Sequence, residues 1–417
     1  VTPAAARLQG SVPPLIAEHD TWITLDPVVG CPADCAYCYL GVLGLRATKP
    51  VARVSPRDLA DEVDRYLNGR RAEVMDPLDD PTPLCLGNHT DMMMSPENRR
   101  ATIEVLRELS RRIPPRTMVL ITKAVLREDT IAEIDAIGWP VVWFFSQSLA
   151  RTAGIPLEAG RTARLEETLA NARLVSASRN QHAVHFWRPF VRELLPDPAS
   201  LETVVESLHA SGMRCSVLNG LRLGPGVPQD DARLRTHLAE TMRAGEGATE
   251  VFDRERWGQA VRAGRRTEYP LYRHSSCALA LVRSAREQLG TWNPTVFADR
   301  CTPCSCPAWQ RRLCAPDAPV AGDGLLGGPA ALRARIARFL GIGEDHVLVD
   351  EARKHIHVDA AVPEFDYNTL LHALRGTFVV AARSIVWQRA WESGWPTAAG
   401  RHAQDGSGTP IESMVPK

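Results

Sequence analysis

Cys31, Cys35 and Cys38 fall within the stretch Gly30-Cys31-Pro32-Ala33-Asp34-Cys35-Ala36-Tyr37-Cys38-Tyr39-Leu40, and this spacing constrains the chain more than any other feature. C-x3-C-x2-C is short enough for one loop to aim three thiolates at three corners of an iron-sulfur cube. Ordinary electron-transfer cubes are held by four cysteines. A three-thiol loop therefore leaves one iron open to a ligand that is not protein. Two other readings of the same residues are a zinc site completed by a distant histidine and a loop of free thiols.

With this spacing the chain resembles the radical S-adenosylmethionine (SAM) superfamily. The resemblance implies a [4Fe-4S] cluster whose open iron chelates the methionine part of SAM. It also implies an external electron donor such as flavodoxin or ferredoxin. One electron then splits the sulfonium, giving methionine and a 5'-deoxyadenosyl radical that takes hydrogen from a substrate. In such enzymes the cofactor carries the hard chemistry, and the protein supplies placement and exclusion of water.

The strand and helix patterns suit that expectation. Trp22-Ile23-Thr24-Leu25 feeds directly into the cysteine loop, and further strand candidates are Leu84–Leu86, Met118–Thr122, Val141–Phe145, Val184–Trp187 and Cys215–Leu218. Helical spacing lies between them, as in 58–67, 99–111, 164–176 and 200–211. Strands alternating with helices predict an α/β fold with a parallel sheet, and the resemblance narrows this to a partial (β/α)6 barrel. At 417 residues the chain is long enough for two or three domains. The expected division is a lead-in over 1–19 and a core over 20–228, closed by the turn-rich Gly224-Pro225-Gly226-Val227-Pro228. A helical and cysteine-rich segment follows over 229–324, then a small α+β unit over 325–395 and a tail over 396–417.

In parallel α/β sheets chemistry collects at the carboxyl ends of the strands. Here those ends read Gly87-Asn88-His89-Thr90-Asp91, Thr122-Lys123 and Ser146-Gln147-Ser148. SAM offers an ammonium, a carboxylate, ribose hydroxyls and an adenine edge, each needing a partner once buried. Asp91 suits the ribose or ammonium, Lys123 the carboxylate and Ser146 a hydroxyl, with Asn88 counted in the same cofactor-binding set. Strand ends are also polar simply because loops meet water.

Over about residues 20 to 223 a narrower resemblance emerges, to the spore photoproduct lyase-like branch of the superfamily. Tyr37 and Tyr39, the Thr90-Asp91 pair, Ile121-Thr122-Lys123 and Ser146 carry it. It implies that Tyr37 lies near the adenine while Lys123 and Ser146 hold polar groups of SAM. The chain departs from that branch in the turn after the second strand, where those lyases place a cysteine and this chain has Asn88 and His89. DNA photoproduct repair is therefore not the expected reaction. Cys85, just upstream, reads as a small buried apolar residue.

A second cysteine group, Cys301-Thr302-Pro303-Cys304-Ser305-Cys306-Pro307 followed by Cys314, calls for a common centre. Its crowded spacing and prolines favour an auxiliary iron-sulfur cluster over structural zinc, with disulfides behind both. Most of the ten cysteines lie in these two groups. Such clustering reads as metal binding in a reducing compartment, the cytosol. Elsewhere the bland readings are preferred. The arginines at 262–266 read as a solvated face, Tyr272, His274 and Cys277 as residues around a helix start capped by Ser275 or Ser276, and His355 and His357 as ordinary strand residues. Trp387, Trp391 and Trp395 read as one packed helix face.

Lys and Arg total 49 and so do Asp and Glu. That balance argues against nucleic acid as the main partner, and no apolar run reaches the length of a membrane span. The expectation is a radical SAM enzyme acting on a small-molecule substrate in specialised, natural-product biosynthesis. The competing readings are an enzyme that modifies or repairs nucleotides or nucleic acid, and a non-enzymatic iron-sulfur or zinc protein.

Overall fold

A computed structural model of the chain describes residues 13–159, 162–223, 230–246, 248–288, 304–315 and 328–388. Its centre is an eight-stranded sheet. The strands are β1 (Ile16–Glu18), β2 (Ile23–Leu25), β3 (Leu84–Leu86), β4 (Met118–Thr122), β5 (Val141–Gln147), β6 (Gln181–Trp187), β7 (Ser216–Leu218) and β8 (Leu271–Tyr272). They lie side by side in chain order. From β2 onward every neighbour is parallel, and only β1 runs antiparallel, with Ala17 opposite Thr24. The parallel α/β expectation holds. The sheet also extends past the break at 224–228 to take in β8, which sequence pattern missed because a two-residue strand leaves no periodicity to read.

Helices α1 (Pro56–Asn68), α2 (Pro96–Arg112), α3 (Glu128–Asp135), α4 (Leu165–Ser176) and α5 (Pro198–Ala210) fill the crossovers. Three begin with a capping residue followed by proline: Ser55-Pro56, Ser95-Pro96 and Asp197-Pro198. Each cap side chain accepts a backbone N–H of the first turn. Proline is suited to that first position because its missing N–H has no helical partner there. This is why these helices start two or three residues before their apolar periodicity does.

Strand alternation sends the two sets of side chains to opposite faces. Ile23, Leu25, Leu84, Leu86, Met118, Leu120, Trp143, Phe145, Trp187 and Leu218 pack with the crossover helices in the main core. Trp22, Cys85, Val119, Val142, Phe144, Val184, Phe186, Cys215, Val217 and Tyr272 form a second core on the other face. There they meet α6 (Ser275–Arg283) through Cys277, Leu279 and Leu281. Burial on both faces explains the unbroken apolar run of β5, and each such side chain contributes about 1.5–3 kcal/mol. Cys85 is 1% exposed in this second core, as expected of a small apolar residue. His274, not a serine, caps α6 by accepting the Ser276 N–H.

The region before β8 contains short helices at Ala232–His237 and Ala239–Ala244, and a longer one at Arg254–Arg266 that carries the arginines. The C-terminal unit is α+β: α7 (Pro329–Leu340), β9 (Val347–Asp350), β10 (His355–Pro363), α8 (Glu364–Leu374) and β11 (Val379–Val386), with β10 at the centre of a three-stranded sheet. Trp387 directly follows β11 rather than lying on a helix, and Trp391 and Trp395 lie outside the described residues. A buried charge network ties this unit to the core. His372 of α8 lies 2.9 Å from Glu18 of β1, Glu18 pairs with Arg71, and Asp80 joins Arg71 at 2.9 Å to Arg116 at 2.8 Å. Among the described residues, no helix is long and apolar enough to cross a membrane.

Candidate cofactor site at the strand ends

The cysteine loop leaves the carboxyl end of β2 and is pinned at several points. Gly30 sits at φ +92°, a conformation that L side chains rarely adopt. A Cβ there would also come within 2.8 Å of Thr48 Oγ1 and 2.9 Å of the Lys49 carbonyl. Its N–H donates to the His89 carbonyl (3.0 Å), and its own carbonyl accepts the Thr90 hydroxyl (2.6 Å). The Cys31 N–H donates to the Leu45 carbonyl (2.8 Å). Asp34 and Cys35 then pair antiparallel with Glu158 and Ala159, and Cys35 stands opposite Glu158. Charges hold the outer side of the loop: Arg46 bridges Asp34 (3.1 Å) and Asp231 (2.9 Å), and Arg233 grips the same two carboxylates at 2.9 Å each.

Cys31, Cys35 and Cys38 border one hollow. Its wall also includes Tyr39, Asn88, Thr90, Asp91, Thr122, Lys123, Ser146 and Arg188. The structure thus brings the expected Asn88, Asp91, Lys123 and Ser146 together with the three thiols. Tyr37 is not part of this wall, because its hydroxyl donates to Glu158. The flanking Tyr39 lines the hollow instead and donates to the Asn88 carbonyl.

Asp91 fastens adjacent strand ends. One of its oxygens accepts the Met93 N–H (2.9 Å) and the Thr122 hydroxyl (2.8 Å), and the other accepts the Lys123 N–H (2.7 Å). Burial still outweighs these bonds and lifts its pKa above the ordinary carboxylate value. His89 is buried against Asp26, with Nδ1 2.7 Å from the carboxylate, and Asp26 also accepts the Asn88 N–H (2.6 Å). The Asn88-His89 turn is therefore built around Asp26.

Glu158 is the residue that sequence reasoning missed most completely. One oxygen accepts from Tyr37, Lys123 Nζ (2.7 Å) and Ser148 (2.9 Å). Burial works to raise its pKa, but the Lys123 ammonium and these donors hold it below the ordinary range. Burial likewise works to lower Lys123, and the Glu158 carboxylate more than offsets that. The pair stays ionised within hydrogen-bond contact. Nothing in the segment around Glu158 carries a period or motif that could have pointed to it. Arg188 was also missed, yet it was within reach of the strand-end rule: it directly follows β6, as Lys123 directly follows β4. Its Nε donates to Ser146 Oγ (3.2 Å).

Burial raises all three thiols of the loop, with Cys31 pushed up to about 12. Without a metal they would remain protonated. Among the described residues, no three His, Cys, Asp or Glu side chains are gathered as one metal ion requires. The thiols of a cube each grip a different iron, so they need to border a common space rather than converge on a point. Cys31, Cys35 and Cys38 do border one, and thiolate is the ligand that iron-sulfur clusters take. The residues fit the group.

Of the second cysteine group, Cys301 lies outside the described residues. Cys304 packs against the main core and Cys306 against the second core, and Cys314 follows the helix Ala308–Leu313. Their segment is docked on β8: Ser305 Oγ accepts the Leu271 N–H (2.5 Å) and Gln310 accepts the Tyr272 hydroxyl (2.5 Å). Tyr272 and Cys277 are buried there and lie outside the wall of the hollow.

No protein-family model matches the chain, and no curated protein does. Among solved structures the chain is similar to a spore photoproduct lyase complexed with dinucleoside spore photoproduct. Identity is 14% over 59% of this chain and 74% of that one, with a TM-score of 0.44. It is also similar to TsrM, a radical S-adenosylmethionine methyltransferase from Kitasatospora setae. There identity is 17% over 49% of this chain and 37% of that one, with a TM-score of 0.35. A third likeness is to the methylornithine synthase PylB, at 9% identity over 60% of this chain and 63% of that one, with a TM-score of 0.37.

Proposed function

We propose that the hollow is the active site of a radical SAM enzyme built on a partial (β/α)6 barrel. One observation carries this reading: a single short loop delivers three thiols, two buried and one partly buried, to a hollow whose wall also carries Asn88, Asp91, Lys123 and Ser146. Cys31, Cys35 and Cys38 would hold the cluster. When bound, cluster and SAM supply an electron-driven cleavage that yields a 5'-deoxyadenosyl radical able to take hydrogen from a substrate. An external donor such as flavodoxin or ferredoxin provides the electron, and the cytosol is the compartment where that donor and reduced thiols coexist.

The chain's own residues bind and orient. Asn88 and Ser146 present an amide and a hydroxyl to the hollow, and Asp91 presents a carboxylate whose remaining acceptor capacity suits an ammonium or ribose hydroxyl. Lys123 belongs to the same wall. Its ammonium is already matched by Glu158, so it contributes through shape and through the fixed Tyr37–Glu158–Lys123 arrangement beside Cys35. Cys301, Cys304, Cys306 and Cys314 form, in this reading, an auxiliary iron-sulfur site, and the stretch from Cys304 docks on the last strand of the sheet.

The substrate in this reading is a small molecule in specialised biosynthesis. Two facts support it over a nucleic acid: the balanced charge of the chain, and the Asn88-His89 turn where a hydrogen-returning thiol would sit. The test is spectroscopic. Anaerobically reconstituted, reduced protein should give the electron paramagnetic resonance (EPR) signal of a reduced cube, and adding SAM should change that signal. A cube signal indifferent to saturating SAM would overturn the reading.

A further inference from the structure

We propose that Arg188 sets the reduction potential of the cluster held by Cys31, Cys35 and Cys38, by placing an uncompensated positive charge in the wall they share. This inference rests on the preceding reading of the site. The cations around the cysteine loop fall into two kinds. Lys123 is neutralised by Glu158 at 2.7 Å, and Arg46 and Arg233 are neutralised by Asp34 and Asp231. Arg188 differs. Its guanidinium donates to the Ser146 hydroxyl and lies 4.1 Å over the Phe186 ring, and among the described residues no carboxylate pairs with it.

An arginine does not escape a buried site by losing its proton. Arg188 is partly buried, and a cluster seated in the hollow would strip the remaining water from its guanidinium, which is costly without the counter-charge that the anionic cluster supplies. Burial and the like charge of Arg222 press on this group, and it shares the wall of the hollow with Cys31, Cys35 and Cys38. A cluster bound by three thiolates is a net anion there, and one-electron reduction adds a further unit of negative charge. The fixed cation therefore favours the reduced form and makes the potential less negative. The electron comes from a low-potential donor, with no bond made or broken and no proton moved.

The experiment is a potentiometric titration, with dithionite as reductant and EPR as readout, on reconstituted wild-type, Arg188→Gln and Arg188→Lys proteins of matched iron content. Removing the charge should disfavour reduction about tenfold, which is ~59 mV more negative for a one-electron couple. Arg188→Lys should retain most of the wild-type potential. If Arg188→Gln fails to load iron, Arg188→Met is titrated in its place. An unchanged midpoint in the loaded neutral variant would overturn the inference, as would equal shifts for Lys and Gln, which would assign the effect to shape instead of charge. Absence of a reducible cube from wild-type protein would be a different failure, that of the cluster reading itself.

Discussion

Cys35 and Glu158 stand opposite each other in a two-stranded antiparallel ladder, which joins a thiol of the hollow's wall to the buried carboxylate that organises Tyr37, Lys123 and Ser148. The backbone ladder and the side-chain cluster thus fix the same loop twice.

Glu158→Ala should cost roughly 3–5 kcal/mol, because it leaves the Lys123 ammonium buried without its counter-charge. Anaerobic urea unfolding measures the loss. A change below about 1 kcal/mol, the range of an exposed pair, would show that Glu158 does not organise the loop.

Asp91→Asn keeps the shape of the side chain but removes the charge that accepts from Met93, Thr122 and Lys123. The loss should be about 1–3 kcal/mol of stability together with weaker SAM binding, while the iron bound by Cys31, Cys35 and Cys38 remains. Equilibrium dialysis under anaerobic conditions reads the affinity. Unaltered SAM binding in a folded variant would remove Asp91 from the cofactor set.

The strands were legible because residues buried on both faces leave continuous apolar runs, as in Val141–Phe145. The three-thiol loop was legible because its spacing is local. Asn88, Asp91, Lys123 and Ser146 followed from one rule about strand ends, and Arg188 would have followed from the same rule applied to β6. What sequence could not supply was pairing at a distance. Glu158 reaches Cys35 across a long separation, β8 is only two residues long, and the partners of Tyr37 are set by tertiary packing that no spacing encodes.

His185 should give the fold a distinct pH dependence. Burial lowers its pKa to about 3, with Lys123 adding to the effect, and the ring is fully enclosed. Unfolded histidine titrates near 6.5, so below that value the unfolded chain binds a proton that the folded chain refuses. Stability contributed by the neutral ring is complete above about pH 6.5. It falls by roughly 1.4 kcal/mol per pH unit as the pH drops towards 3. Denaturation midpoints between pH 6.5 and 5 should slope in wild type and slope less in His185→Leu, where His182 and His355, also lowered by burial, still contribute. Equal slopes would contradict this.

Metal analysis separates the two cysteine groups. Anaerobic protein should carry about eight irons per chain if both are cubes, and replacing Cys31, Cys35 and Cys38 with Ala should remove about half. About four irons with stoichiometric zinc would assign Cys301, Cys304, Cys306 and Cys314 to a structural zinc site and leave the first site intact.

The most direct measurement is chromatography for 5'-deoxyadenosine after reduction of the reconstituted protein in the presence of SAM. Wild-type protein should release 5'-deoxyadenosine and methionine, slowly even without substrate, and Cys38→Ala should not, since two thiolates do not hold the cube with its open iron towards SAM. Cys304→Ala should retain slow cleavage. No 5'-deoxyadenosine from fully loaded, reduced wild-type protein, with or without candidate substrates, would contradict radical chemistry at Cys31, Cys35 and Cys38.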